Sequence, residues 1–357
     1  MTRRLTVLLV FLPIAVGSAP AKAQSPSGNA KISVLVYYDM EGLAGQEDWR
    51  TAAFGHPEEY AGGRELLIAD VNAVVDGLLA GGAQVVRVVD GHGSGNSEGP
   101  DLPADRLDRR AETIFADRPI GGVLSLVERG TYDGVVLVAM HSKTGRPGFM
   151  AHTFNLGIQV QLNGHWITES EGFAYAWGSV GVPVIFVSGD DKLEEDLSTM
   201  PWIEYVQVKK SIDSHRALAR PVEEARRDLR EAAARAVRNL GKMRPMRLAT
   251  PIKVRVRAVP PASLAAAERV PGLTYADSGV SFTAADLRSA FEGMGGLIGL
   301  AGGSGAVWPA VIGTLPNAAQ LRAALTDSVV TRAFDYNSGR WKTPVRPERA
   351  RRYHGSN

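Results

Sequence analysis

Four side chains that can bind metal ions stand at separate places in the chain, namely Asp39, Glu41, His92 and His141. Carboxylate oxygens and neutral imidazole nitrogens are the usual donors to Zn²⁺ where thiolates are absent, and the chain contains no cysteine. The four side chains offer more donor atoms than a single four-coordinate ion needs. They could therefore also bind a pair of metal ions that share one bridging carboxylate. The residue types therefore predict a site for zinc or a similar ion that activates water.

Each of these residues taken alone has a simpler structural explanation. An acidic residue at the end of a strand is commonly solvated or caps a helix. A single histidine is about as often a hydrogen-bonded structural residue as a ligand. The position that the four residues share in the predicted fold is what favours a common site.

All four residues closely follow apolar segments that are typical of buried β-strands, which cover residues 32–38, 84–89 and 134–140. In an open parallel sheet, ligands bind outside the carboxyl ends of the strands, so these ends can meet although about a hundred residues separate the first from the last. Apolar residues at helical spacing between Leu67 and Leu79 predict a helix between the first two strands. This order implies a parallel pair of strands.

The remaining patterns predict an α/β fold whose mostly parallel sheet is flanked by helices, with a β-hairpin and a smaller C-terminal α+β domain. Asn163-Gly164 between two alternating segments is a strong hairpin signal. A change of composition after a long predicted helix places a catalytic α/β domain over 32–246 and the smaller domain over 247–300. Residues 301–357 form an extension with a predicted helix over 318–325, and its pattern indicates no role.

The N-terminus carries the three features of a secretory signal peptide over residues 1–23. Arg3-Arg4 form a basic start, an apolar stretch follows, and Ala21-Lys22-Ala23 is a cleavage signal of the A-x-A type. We expect a short linker over 24–31 and a periplasmic or secreted mature protein without a stable membrane span. An uncleaved anchor is the alternative, for which the apolar stretch is short.

The overall charge argues against a nucleic-acid partner, since the formal net charge is +2 over 357 residues. Basic residues do cluster between Arg340 and Arg352, where they form either a solvated tail or a contact with an anionic surface. A chain without cysteine has no disulfide scaffold, so its stability must come from an ordinary apolar core.

Three lysine and histidine residues outside the predicted site are expected at the surface. Lys209 and Lys210 follow a short apolar segment, and we expect both to be solvated. A contact with a carboxylate of the substrate is the alternative. His165 lies on the predicted hairpin, where we expect it to be exposed.

Several short motifs occur in a fixed order along the chain. They are Asp39-Met40-Glu41-Gly42, Asp90-x-His92-Gly93, His141 followed eleven residues later by His152, and Val182-Pro183-Val184 leading to Gly189-Asp190-Asp191. In this order and spacing, from about residue 32 to about residue 300, the chain resembles the D-aminopeptidase family of di-zinc metallopeptidases. The resemblance implies a ring-shaped homo-oligomer whose active sites face an internal channel.

The same resemblance implies which residues bind two zinc ions per subunit. These ligands are Asp39 as the bridging carboxylate, Glu41, His92, His141 and Glu169. His152 matches the histidine that is proposed as the catalytic residue of the family.

One position departs from the pattern of the family, which has a single glutamate followed by small residues. This chain reads Glu169-Ser170-Glu171-Gly172 there. Counting back from Val182-Pro183 without a gap favours Glu169 as the fifth ligand, and Glu171 remains a possible substitute.

The motifs and the export signal together predict an exported zinc-dependent aminopeptidase that hydrolyses the N-terminal residue of short peptides or amides. The resemblance implies a D-residue such as D-Ala at that position. Two other classes of protein stay open from the sequence. One is a different di-metal hydrolase, such as an amidase or a phosphoesterase, and the other is a periplasmic binding protein without metal.

Overall fold

The computed structural model describes the chain between Lys31 and Trp341 with gaps. The described ranges are 31–93, 100–114, 123–124, 126–127, 132–259, 262–302 and 311–341. The predicted signal peptide, most of the predicted linker and nearly all of the basic tail lie outside these ranges. The described residues from Ile32 onward belong to one compact unit.

The described ranges contain twelve β-strands, which are numbered in chain order. They are β1 (Ser33–Tyr38), β2 (Val85–Asp90), β3 (Glu112–Thr113), β4 (Gly134–Val138), β5 (Ile158–Leu162), β6 (His165–Trp166), β7 (Val184–Asp190), β8 (Glu204–Asp213), β9 (Arg216–Ala219), β10 (Ile252–Ala258), β11 (Thr274–Ala276) and β12 (Gly279–Ala284). The α-helices that position the site and the core are α1 (Pro57–Gly81), α2 (Glu169–Ser179), α3 (Asp191–Asp196), α4 (Val222–Arg238), α5 (Leu287–Gly302) and α6 (Ala318–Asn337).

The first sheet has seven strands in the order β3-β2-β1-β4-β7-β8-β9. Its neighbours pair in parallel except for β8 and β9, which pair antiparallel. The predicted parallel pair of β1 and β2 is confirmed, with Val36 opposite Val88. Strands in the middle of such a sheet are covered on both faces, which explains why β1, β2 and β4 read as nearly continuous apolar segments.

The second sheet has five antiparallel strands in the order β11-β12-β10-β5-β6. Strands β5 and β6 form the predicted hairpin, and the φ angles of Asn163 and Gly164 are 49° and 88°. Positive φ at both central residues is what a two-residue type I′ turn requires. Because β10 pairs with β5, the hairpin and the strands after position 247 share one sheet.

The side chains of β1 alternate between two apolar clusters on opposite faces of the first sheet. Val34 and Val36 belong to the cluster that includes residues of α1 and α4. Leu35 and Tyr37 belong to the cluster that includes residues of α2, α5 and the second sheet. Helices therefore cover one face of the first sheet, and α2 with the second sheet covers the other. The predicted α/β fold class is confirmed.

Helix α6 is longer than its predicted extent of 318–325, because it continues to Asn337. Val330, Ala333 and Phe334 in the added turns are buried in the cluster with α1 and α4. The extension beyond residue 301 is thus partly built into the core. Among the helices of the described ranges, none combines the length and the apolar character that are needed to cross a bilayer.

Candidate metal centre and active site

The carboxyl ends of β1, β2 and β4 meet at one edge of the first sheet, as the sequence predicts. Backbone hydrogen bonds continue the pairing beyond the strands. The N–H of Asp39 donates to the carbonyl of Val138 at 2.8 Å, and the N–H of Gly91 donates to the carbonyl of Tyr38 at 2.8 Å. The loops that carry the predicted ligands are therefore held side by side.

Gly42 allows the loop after β1 to approach the loop after β4 closely. Its N–H donates to the carbonyl of Ala139 at 2.7 Å, and a Cβ at this position would lie 2.2 Å from the carbonyl oxygen of Met140. No other residue fits there without movement of the backbone. The second loop turns at Ala139, whose φ of 63° is uncommon for a residue other than glycine. This turn lies two residues before His141.

Three buried carboxylates form the centre of the site. Asp39, Glu41 and Glu169 are only 3%, 4% and 5% exposed. The N–H of Met40 donates to Asp39 Oδ1 at 2.9 Å and to Glu41 Oε2 at 3.1 Å, so both carboxylates lie on the same side of their loop. Glu169 is the first residue of α2 and accepts from the N–H of Phe154. Three negative charges buried together require positive charge beside them.

His141 faces these carboxylates from a fully buried position. Its Nδ1 lies 3.0 Å from the carbonyl oxygen of Ser142, which can only accept, so Nδ1–H donates. Its Nε2 lies 3.3 Å from Asp39 Oδ2 and 3.4 Å from Glu169 Oε1, yet it makes no well-aligned hydrogen bond to a described residue. Burial acts to lower the pKa of His141, but Glu169 and Asp39 raise it well above its usual value.

His92 has a similar arrangement beside Glu41. Its Nδ1 lies 3.3 Å from Asp101 Oδ2 and 3.3 Å from the hydroxyl of Tyr60. Its Nε2 lies 3.6 Å from Glu41 Oε1. Burial acts to lower the pKa of His92, but Glu41 and then Asp101 raise it to about 10. A carboxylate behind a histidine is a common support in zinc sites. Asp101 could not be predicted from the sequence, because no motif marks it.

His152 stacks on His141, with ring centroids 3.8 Å apart and planes 13° from parallel. Its Nδ1 lies 2.8 Å from the carbonyl oxygen of Met150. Its Nε2 lies 3.7 Å from Glu169 Oε1. Burial and then the neighbouring His141 lower the pKa of His152 to about 4. The position of His152 suits both proton transfer and metal binding together with His141 and Glu169.

The geometry of the cluster fits a metal cation. Two groups of side chains each offer one ligand atom within 4.8 Å of the others, namely Asp39 with Glu41 and His141, and His141 with His152 and Glu169. Burial and the charge of Asp39 raise the pKa of Glu41 well above its usual value. Together with the raised pKa values of His92 and His141, this shows that the cluster attracts positive charge. A divalent ion meets the same demand, and this set of nitrogen and oxygen donors is typical of zinc.

Glu171 does not face the cluster, because its carboxylate caps α2. The N–H of Thr168 donates to Glu171 Oε2 at 2.8 Å. Glu171 Oε1 accepts from the hydroxyl of Thr199 at 2.7 Å and lies 2.8 Å from His165 Nε2. The geometry therefore favours Glu169 as the fifth ligand.

Lys209 supports the loop after β1 from behind, so the expected solvated pair is wrong for this residue. Lys209 is fully buried, whereas Lys210 is exposed. The Nζ of Lys209 donates to the carbonyl of Glu41 at 2.8 Å and to Gln46 Oε1 at 2.6 Å, and burial lowers its pKa to about 7. The pairing register between β7 and β8 shifts at this point, so Val208 and Lys209 are both buried. Simple alternation along a strand could not predict that.

A narrow cavity of about 40 Å³ opens beside the cluster. Its apolar walls are Val123, Phe154 and Phe173, and the other lining residues are Asp39, Gly91, His92, His152 and Glu169. Phe154 has a φ of 62°, and its ring lies against Gly172, where a Cβ would be 2.9 Å from the ring. The cavity therefore has room for a small group next to the carboxylates and imidazoles.

Comparisons with known proteins agree with this geometry. A family model described as D-aminopeptidase matches residues 32–295. Among solved structures, the chain is similar to the zinc-dependent D-aminopeptidase DppA from Bacillus subtilis, which is described as a self-compartmentalizing protease. The TM-score is 0.69 and the sequence identity is 25%, over 76% of this chain and 98% of that chain. A comparison with curated protein sequences gave no match.

The matched range includes both sheets and every member of the cluster described above. It also begins where the motifs of the sequence begin and ends close to where they were expected to end. The fold, the resemblance and the aminopeptidase activity that it implies are thereby confirmed. On the strength of the matched range and of the similar structure, the chain belongs to the D-aminopeptidase family.

Proposed function

We propose that this chain is an exported di-zinc aminopeptidase that removes the N-terminal residue from short peptides or amides. The observation that carries the proposal is the buried cluster in which the Nε2 atoms of three histidines face three carboxylates. Acceptor atoms on both sides of a buried site call for cations between them. Family membership supports the activity, and the zinc dependence of DppA supports the choice of metal.

The chain's own residues hold and orient the site. The residues that would hold two zinc ions are Asp39 as the shared carboxylate, Glu41, His92, His141 and Glu169. Zinc, when bound, supplies a Lewis acid that polarises the scissile carbonyl and lowers the pKa of a water molecule. Asp101 fixes the ring of His92, and the carbonyl of Ser142 fixes the ring of His141, so that each Nε2 points into the site.

His152 is proposed as the group that transfers protons. Because its Nδ1–H donates to the carbonyl of Met150, the lone pair of Nε2 is directed into the site. A base at this position accepts the proton of the attacking water and returns it to the leaving amino group. Stacking on His141 keeps the ring in place.

The proposed substrates are peptides that begin with a small D-residue, above all D-Ala. The cavity of about 40 Å³ between Phe154 and Phe173 supports a small side chain, and the family supports the D configuration. The signal peptide that the sequence predicts supports a periplasmic or secreted location, where cell-wall peptides are a source of D-alanine. The homo-oligomer is proposed by analogy with the self-compartmentalizing DppA.

Metal analysis of a variant tests the centre. Asp39→Ala is expected to lose both zinc ions and nearly all activity together, because one bridging carboxylate serves each ion. Asp48→Ala is the matched control, since the side chain of Asp48 is 39% exposed and pairs with Arg50 away from the cluster. The control should keep zinc and turnover. Two zinc equivalents in Asp39→Ala would overturn the bridging role.

A paired assay tests the substrate. At equal zinc content, a D-alanyl amide is expected to be hydrolysed at least about tenfold faster than the L-alanyl amide. Equal rates would remove the D preference while leaving the aminopeptidase in place. Failure on both, with activity on an ester or a phosphate, would favour a different di-metal hydrolase.

A further inference from the structure

Helix α6 lies beyond the end of the family match at residue 295, yet it contacts the loop that precedes His152. The helix ends at Asn337, whose side chain is buried. The N–H of Gly145 donates to Asn337 Oδ1 at 2.7 Å, and Asn337 Nδ2 donates to the carbonyl of Ala151 at 2.6 Å. A single amide side chain therefore joins the two ends of the loop 145–151.

The bond to Ala151 acts on the peptide group that leads directly into His152. The carbonyl of that group accepts from Asn337, and its N–H, which belongs to His152, donates to the carbonyl of Ser142 at 3.1 Å. Both polar atoms of the peptide group are thus held. One residue earlier, the carbonyl of Met150 is the acceptor that fixes the His152 ring.

The backbone of this loop needs such support, because Met150 has a φ of 51°. A residue other than glycine rarely adopts this conformation and keeps it only where the surroundings enforce it. Asn337 bonds the residue directly after Met150, so loss of this bond would allow the Met150 carbonyl, and with it the His152 ring, to move.

Helix α6 is itself firmly seated, which gives Asn337 a fixed position. Phe334 is fully buried, and its ring packs edge-on against Trp49 at 6.3 Å and His215 at 4.9 Å between centroids. Nearer the start of the helix, Asp327 Oδ1 lies 2.7 Å from His56 Nε2. The helix thus contacts Trp49 and His56, which follow the loop that carries Asp39 and Glu41, as well as the loop before His152.

We propose that Asn337 is a positioning residue for His152, so that α6 completes an active site whose other parts lie within the family match. The role of Asn337 rests on the role proposed for His152 in the aminopeptidase reaction. Asn337 touches neither substrate nor metal in this proposal. It acts by holding the peptide group between Ala151 and His152.

Steady-state kinetics of the zinc-loaded full chain test this role. Asn337→Leu replaces the amide by an apolar group of similar size, so both bonds to the loop are lost. The expected result is a fall in kcat of about 10- to 100-fold with KM within about twofold and unchanged zinc content, since misplacement of a catalytic group costs turnover rather than binding. Asp327→Asn on the same helix removes a half-exposed charge but keeps an oxygen that can accept from His56, so it should leave kcat unchanged.

A double-mutant cycle shows whether Asn337 acts through His152. In the His152→Ala background, Asn337→Leu should lower kcat no further, because the group that it positions is already absent. Additive losses would overturn the proposal. So would an unchanged kcat in Asn337→Leu, or a parallel loss of kcat, zinc and melting temperature, which a purely structural role would produce.

Hydrogen exchange separates this proposal from the proposed function. The amides of the segment 144–152 should exchange faster in Asn337→Leu than in the wild type and in Asp327→Asn. If the wild type has no aminopeptidase activity, the proposed function fails, while the exchange result still shows whether Asn337 holds the loop. Unchanged exchange in Asn337→Leu would show that Asn337 does not hold the loop 145–151.

Discussion

The three histidines of the cluster share one arrangement of their ring nitrogens. In each of them Nδ1 faces a fixed acceptor behind the site, and Nε2 faces the carboxylates. The acceptors are Asp101 for His92, the carbonyl of Ser142 for His141 and the carbonyl of Met150 for His152. An imidazole held in this way presents Nε2 to the carboxylates without a search through rotamers, so the rings are already oriented before a metal ion binds.

Replacement of two neighbouring glutamates should separate metal binding from helix capping. Glu169→Gln is expected to lower both zinc content and kcat strongly, because an amide oxygen is a weaker donor to zinc than a carboxylate. Glu171→Gln is expected to keep its zinc but to lose about 1–2 kcal/mol of unfolding free energy, since its buried carboxylate caps α2.

Metal analysis and denaturant unfolding of the two variants measure these effects. Each variant is the control for the other, because both lose one charge within the first turn of α2. The reverse outcome, with zinc lost only from Glu171→Gln, would make Glu171 the fifth ligand.

Residue types and spacing alone could point to Asp39, Glu41, His92 and His141, because these residues follow strands whose ends must meet in a parallel sheet. Glu169 and His152 were indicated only by the family resemblance. The residues that support them could not be predicted. Asp101 lies in a turn without a motif, and Lys209 is buried through a register shift that leaves no mark in the sequence. Asn337 reaches the site from 192 residues beyond Gly145, and no local pattern encodes such a contact.

At the scale of elements, close backbone contacts set the positions of the helices around the sheet. Adjacent glycines of α1 differ sharply in this respect. A Cβ on Gly63 would lie 2.0 Å from the carbonyl oxygen of Thr51 and 3.2 Å from the Met40 side chain, whereas a Cβ on Gly62 would meet nothing within 4 Å. Gly63 therefore allows α1 to pack closely against the backbone at Thr51 and the side chain of Met40.

Alanine at these two positions should have opposite effects on stability. Gly63→Ala is expected to lower the unfolding free energy by about 1–3 kcal/mol, because the backbone must move to admit the methyl group. Gly62→Ala is expected to raise it by about 0.5–1 kcal/mol, because alanine is the better helix former at an open position. Urea unfolding of both variants measures the difference, and equal stability of the two would show that α1 can shift freely.

The pairing of α1 with α4 should make stability depend on pH. Asp70 of α1 accepts from Arg226 Nε at 3.0 Å and from the N–H of Ala44 at 2.7 Å. Burial raises its pKa from 3.8 to about 6. The folded protein therefore binds this proton more tightly than the unfolded chain does. The contribution of protonated Asp70 to the unfolding free energy amounts to about 3 kcal/mol. It is complete below pH 3.8, the pKa of this group in the unfolded chain, and it is lost as the pH rises through about 6.

The variant Asp70→Asn tests this dependence, because asparagine does not titrate. Unfolding free energies of the wild type and the variant, measured by urea between about pH 4 and about pH 7, should differ in slope, with the smaller fall in the variant. Other groups contribute equally to both proteins, so the difference isolates Asp70. Parallel curves would contradict the raised pKa.

The elements themselves were predictable to different degrees. Strands β1, β2 and β4 were found within one or two residues of their ends, because a strand buried on both faces is apolar throughout. The hairpin of β5 and β6 was found from its turn residues. Helix α6 was predicted only as far as 325, because exposed residues separate its buried positions in the later turns.

At the scale of the whole molecule, the predicted signal peptide can be tested by following the export of the protein. Protein recovered from outside the cytoplasm should begin at Gln24, as N-terminal sequencing or intact mass would show. Ala23→Arg should block this cleavage and leave the precursor at the membrane, because signal cleavage needs a small residue at that position. An intact Met1 on soluble protein in the cytoplasm, with none outside, would remove the proposed location.

The contact between Gly145 and Asn337 spans 192 residues, and it has a consequence for the time at which the enzyme becomes competent. Contacts of such separation form late, since a large loop-closure entropy must be overcome first. The same holds for β10, which inserts between β5 and β12 to complete the second sheet. A growing polypeptide therefore lacks the contact that holds the loop before His152 until residue 337 has been made and α6 has packed. Full turnover is therefore expected only after the whole chain has been synthesised and folded, wherever folding is completed.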